Sequence, residues 1–188
     1  MPNFKCSIFV LLFFGTVIAA ASCESYSSKA IPKHTHAAPH SQQQFQGSLP
    51  EPIGYLSDFE FLFAQKEKQT LDSLLHDFEN RTSIQIAVVT IDTTMTTKDS
   101  LDAFTLKIAN AWAIGQKDKN NGVLVGISQG YKRIRIQNGY GIQKIPTNEE
   151  TKEIVETAFI PGFRNSNYFQ GTLTGLQSLM KILEDRYK

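Results

Sequence analysis

The chain has 188 residues, of which 41% are hydrophobic, 11% aromatic and 20% charged, the composition of a globular protein with room for one core. Its 19 basic and 18 acidic side chains leave a formal charge of +1, so the balance gives no argument for a nucleic-acid partner. Cys6 and Cys23 are its two cysteines, and because Cys6 falls in an N-terminal leader, no internal disulfide is expected in the mature chain.

Residues 1–22 carry Lys5, an apolar run from Ser7 to Ala21 and a small-residue exit, the pattern of a secretory signal peptide. The run is shorter than the roughly 20 residues a spanning helix needs, which argues against an integral membrane protein. The exit, Ala20-Ala21-Ser22-Cys23, resembles a bacterial lipobox, where cleavage exposes a cysteine for lipidation; ordinary cleavage near Ala21 is the alternative. The expectation is export to the periplasm or the outer face of a membrane, with a lipid anchor at Cys23 rather than a transmembrane helix.

Residues 23–52, rich in Ser, Gln, His, Ala and Pro, read as a flexible tether with a typical reach of about 30 Å. His34, His36 and His40 are spaced so that they can bind a transition metal, but only by ordering this segment.

The folded domain is expected over residues 53–188. Its first helix is "QKEKQTLDSLLHDFENRTS", where Leu71, Leu74, Leu75 and Phe78 recur at helical spacing and His76 falls on the exposed side. "IQIAVVTID" is a nearly continuous apolar run, the pattern of a strand buried on both faces. "KDSLDAFTLKIANAW" follows as an amphipathic helix bearing Leu101, Phe104, Ile108 and Trp112. "GVLVGIS" and "YKRIRIQ" read as a hairpin turning at Gln129 and Gly130, with Ile134 and Ile136 alternating against Arg133 and Arg135. Thr147 and Glu150 form a T-x-x-E capping box for a helix through about Phe159, and a last helix from about Tyr168 buries Phe169, Leu173, Leu176, Met180 and Leu183. This order predicts an α/β fold, a three-layer α/β/α sandwich with a small mixed sheet, whose first two strands are parallel through a right-handed crossover.

That topology places the loop "QKDKNNG" at the N-terminal edge of the parallel strands and returns Asn138, Gly139, Tyr140 and Gly141 to the same edge. Asp118, Asn120 and Asn121 would then meet Tyr140 in a polar pocket suited to a hard cation such as calcium or to a polar ligand, whereas the alternative is a solvated turn opening a strand. Lys117 and Lys119 beside Asp118 could hold a phosphate. There is no G-x-x-x-x-G-K-[ST] loop, no G-x-S-x-G elbow and no H-E-x-x-H, so no catalytic set is recognisable.

Together "YLSDFEFLF", "LDSLLHDFENRTSIQIAVVTI", "IANAWAIGQKDKNNGVLVGIS", "RIRIQNGYGIQ" and "TNEE" resemble the TPM domain over about Gly54 to Leu183. That family includes a thylakoid-lumen acid phosphatase, a photosystem II repair protein and an auxiliary subunit of a nematode acetylcholine receptor. The resemblance implies an extracytoplasmic α/β/α domain, with calcium binding and weak phosphatase activity in some members. Its match at Asp118, Asn120 and Asn121 points to Trp112 to Gly122 as the functional loop; at this edge the candidate ligand-binding residues are Trp112, Lys117, Asn120 and Tyr140, and the candidate metal ligands are Asp118 and Asn121. Asp58 and Asp92 match acidic positions of the family and form a second candidate site at the opposite edge. The tether, the expected lipid anchor and the lack of a recognisable catalytic set lead to the expectation of a calcium-linked accessory or chaperone-like module with an envelope or membrane-associated protein partner. Phosphomonoester hydrolysis is the alternative.

Overall fold

The structure is a computed structural model that describes residues 48–187; the leader, Cys23 and the three clustered histidines lie outside the described residues. A four-stranded sheet runs in the order β1 (Leu56–Asp58), β2 (Gln85–Thr90), β3 (Gly122–Ser128), β4 (Arg133–Asn138), with β1, β2 and β3 parallel and β4 antiparallel. Helices α1 (Gln65–Thr82) and α2 (Leu101–Ala111) connect the parallel strands, and α3 (Asn148–Ile154), α4 (Ile160–Arg164) and α5 (Tyr168–Arg186) follow the hairpin.

Strand alternation divides the core. Ile86 and Val88 of β2 pack with Leu71, Leu75 and Phe78 of α1 and Leu176, Leu179 and Leu183 of α5. Ala87, Val89 and Ile91 face the other way, onto Leu101, Phe104 and Ile108 of α2. All seven residues of β3 are buried, as its unbroken apolar run requires of a strand covered on both faces. Burying each large side chain such as Leu75 or Phe78 stabilises the fold by about 1.5–3 kcal/mol. The result is the three-layer α/β/α sandwich.

Four expectations change. β1 was absent from the sequence reading, because three residues that include Ser57 and Asp58 show no apolar period. The strands β1, β2 and β3 are laid down in one direction while α1 and α2 cover opposite faces, so the two crossovers have opposite hands and only one obeys the right-handed rule. The hairpin loop spans residues 129–132 rather than two, and Lys132 takes a φ of 52°. The helix capped by Thr147 does not stop at Phe159: a π-helical segment, Val155–Phe159, carries it into α4, and Pro161 is tolerated near the start of that helix.

The domain also starts earlier than expected. Leu49 packs against the α2 side of the core, and Trp112 Nε1 donates to the Pro50 carbonyl at 2.7 Å. These residues read as tether from sequence.

Candidate functional site

At the N-terminal edge of the sheet, the loop between α2 and β3 is held by its own backbone and by the side chains of Asn121 and Gln85. Lys119 and Asn120 N–H both donate to the Gln116 carbonyl, closing a turn, and Asn120 adopts a φ of 47°, a left-handed position that Asn tolerates. Asn121 points inward and is fully buried: its Nδ2 donates to the Ser83 carbonyl at 2.7 Å and its Oδ1 accepts from Gln116 N–H at 2.9 Å. Gln85, the first residue of β2, accepts from Gly115 N–H at 2.6 Å. The return of β4 locks the other side, where Gly141 N–H donates to the Asn120 carbonyl at 3.0 Å and a Cβ at Gly141 would overlap the Lys119 carbonyl oxygen.

Between this loop and α2 lies a cleft of about 570 Å³. Lys117, Asn120, Gln137, Asn138 and Gln143 bring polar groups to it, and Tyr140, 82% exposed, stands at its rim. Lys117 and Tyr140 are the titratable side chains of the lining.

The predicted residues therefore separate. Lys117, Asn120 and Tyr140 share the cleft. Asp118 is exposed and is not part of its lining. Asn121 makes two internal hydrogen bonds and staples the loop to the end of α1. Trp112 is partly buried against the α2 core and lines a different, smaller cleft with Pro52, Tyr55 and Gln85. Phe163 lies beside Ser128 and Arg133 at the C-terminal end of β3.

The C-terminal edge gathers the second candidate pair and an acid the sequence reading missed. Asp58 is buried and fully engaged: it accepts from Leu62 and Phe63 N–H and from Thr90 Oγ1, and pairs with Lys68 Nζ at 2.9 Å. The loop it gathers turns at Phe61, which has a φ of 55° and is 85% exposed. Asp92 accepts from Thr94 N–H and Oγ1, and these bonds, the hydroxyl first, hold its carboxyl below the usual range. Glu60 bridges to the hairpin tip, accepting from Gln129 and Gly130 N–H, while partial burial and then the neighbouring Asp92 and Asp58 push its carboxyl up. Tyr131 closes the same edge by donating its hydroxyl toward the Thr93 and Thr96 carbonyls.

Calcium takes about six to eight oxygens. Around the loop the donors left over are the Asp118 carboxylate, the Asn120 side chain and backbone carbonyls, and at the far edge Asp58 is already saturated; neither set fits a tight calcium site. Among the described residues no group of three or more His, Cys, Asp or Glu side chains converges as a metal site. His76 is exposed on α1, beside Tyr55 and Asn80.

Comparison with known proteins rests on both sequence and fold. A family model described as the TPM domain matches residues 56–182. The N-terminal domain of a P. gingivalis protein, solved by NMR, superposes with a TM-score of 0.60 at 27% identity, covering 70% of this chain and 82% of that one. A protein of the psychrophilic bacterium Bizionia argentinensis gives 0.58 at 19% identity, covering 68% and 85%. The N-terminal domain of a Corynebacterium glutamicum protein gives 0.51 at 13% identity, covering 78% and 86%, and the last two likenesses show the fold alone. None of the curated proteins matches the chain.

Proposed function

The chain belongs to the TPM domain family, and on that premise we propose that it is an exported, membrane-tethered accessory module that binds its partner through the cleft between α2 and the 115–122 loop. One observation carries this reading: the cleft opens between apolar side chains of α2 and a row of carboxamides beside an exposed tyrosine, and its lining holds no carboxylate or imidazole. Such a surface offers hydrogen bonds and an aromatic anchor, but no pair of groups poised to exchange a proton near neutral pH. Export and tethering rest on the apolar run from Ser7 to Ala21, on Cys23 and on the Ser- and Gln-rich segment behind it.

The test is a photo-crosslinker placed at exposed Asn110, on the α2 side of the cleft, in the native envelope. A recurrent partner whose capture falls in the Asn120→Ala and Lys117→Ala chains supports the reading; capture indifferent to both overturns it. Cys23→Ser is expected to move the chain from the membrane fraction to the soluble one. Calcium titrated into the chain should bind no tighter than the weak range of about 10⁻⁴–10⁻³ M. Tighter binding that disappears in Asp118→Asn would instead make this loop a built cation site.

Phosphomonoester hydrolysis stays as a second reading because Lys117 faces the cleft, where an ammonium could hold a phosphate. It requires turnover of an aryl phosphate that drops in Lys117→Ala.

A further inference from the structure

The outer side of β4 is an open sheet edge, since β4 pairs with β3 and, among the described residues, with no strand beyond it. In an antiparallel pair, alternate residues exchange both hydrogen bonds with the partner strand. Gly139 N–H donates to the Gly122 carbonyl at 2.8 Å, which extends the ladder one residue past Asn138 and sets its phase. The bonded positions on β4 are therefore Arg133, Arg135 and Gln137, and the N–H and C=O groups of Ile134, Ile136 and Asn138 point away from β3.

Those outward groups border a groove of about 540 Å³, walled on its far side by Asn148, Thr151 and Lys152 of α3. Asn138 Oδ1 is buried and has no hydrogen-bond partner, one of two such side-chain atoms among the described residues. The charged residues of the groove lining are Arg135 and Lys152. Arg133 and Arg135 share the single carboxylate of Asp102, at 3.2 and 3.9 Å, and exposed Lys152 reaches Glu156 at 3.8 Å, so the rim is net positive. A second copy of this chain would bring the same cations against themselves, which is unfavourable between paired strands.

We propose that the free edge of β4 takes an extended acidic peptide segment of a partner protein as an antiparallel fifth strand. Its backbone pairs with Ile134, Ile136 and Asn138. Side chains alternate along a strand, so acidic residues at every second position fall beside Arg133 and Arg135, and apolar residues between them lie on the Ile134 and Ile136 side. This site lies on the α3 side of the hairpin and shares Gln137, Asn138 and Gln143 with the rim of the α2 cleft.

The experiment uses the full chain and synthetic peptides of alternating valine and glutamate or valine and lysine. Affinity is read by titration, and edge occupancy by hydrogen exchange at the Ile134, Ile136 and Asn138 amides. The glutamate peptide is expected to protect all three amides. N-methylation of its valine nitrogens, which face β4, should weaken binding by about tenfold or more through lost hydrogen bonds, whereas methylating the glutamate nitrogens should change it little. The lysine peptide should bind worse, and Arg135→Glu should reverse that preference. No binding of the glutamate peptide, equal binding of the two methylated isomers, indifference to charge sign, or protection of the same amides by self-association alone would each overturn the proposal.

Discussion

The two edges of the sheet use polar residues in opposite ways. At the C-terminal edge, Asp58 and Glu60 accept hydrogen bonds that tie β1, β2 and the hairpin tip together, and Asp92 accepts from Thr94 within its own turn. At the N-terminal edge two amides, buried Asn121 and half-buried Gln85, do the tying, and Asn120, Gln137, Asn138 and Gln143 open onto a cleft. In open α/β sheets ligands usually sit outside the carboxyl ends of the strands. Here that end is bridged by Glu60 and Tyr131, and the polar cleft beside the 115–122 loop lies at the opposite end. Carboxylates that satisfy several donors close an edge; neutral amides with exposed faces leave one open.

The largest effect expected from breaking this contrast is at Asp58. Asp58→Ala orphans the Leu62 and Phe63 amides, Thr90 and Lys68, and should cost about 3–5 kcal/mol, measured as a drop in the denaturant midpoint. Asn121→Ala removes partners from the Ser83 carbonyl and Gln116 amide and should cost about 2 kcal/mol, with faster amide exchange confined to residues 113–121.

Glu60 gives a smaller, pH-dependent signature. Its folded pKa is raised above the ordinary 4.5, so the folded state holds the proton more tightly than the unfolded one. Stability from this group should rise as pH falls through the raised value toward 4.5, and Glu60→Gln should flatten that portion of the profile. Asp92 has the opposite sign: its lowered carboxyl contributes stability above 3.8 that is lost as pH falls through the folded value.

The smallest stability change is expected at the open edge, where Tyr140→Ala should stay within about 0.5 kcal/mol of the parent. The same substitution should abolish partner capture through the cleft. A large loss of stability there would show that the exposed ring is structural and would erase the distinction between the edges.

Local signals in the chain were enough to determine α1 from Gln65 to Thr82, the buried run of β3, the Thr147 cap and the left-handed turn at Asn120. Each rests on side-chain period or backbone preference within a few residues. The family pattern likewise resides in those local segments, which is why "RIRIQNGYGIQ" and "KDKNNG" could be assigned to one edge. Tertiary structure alone decided the roles of Asn121 and Glu60, the existence of β1, the docking of Pro50 under Trp112 and the opposite hands of the two crossovers. Asn121 meets Ser83 across 38 residues and Glu60 meets Gln129 across 69. Such pairings depend on which elements the hydrophobic core brings together, and no periodicity near either residue records them.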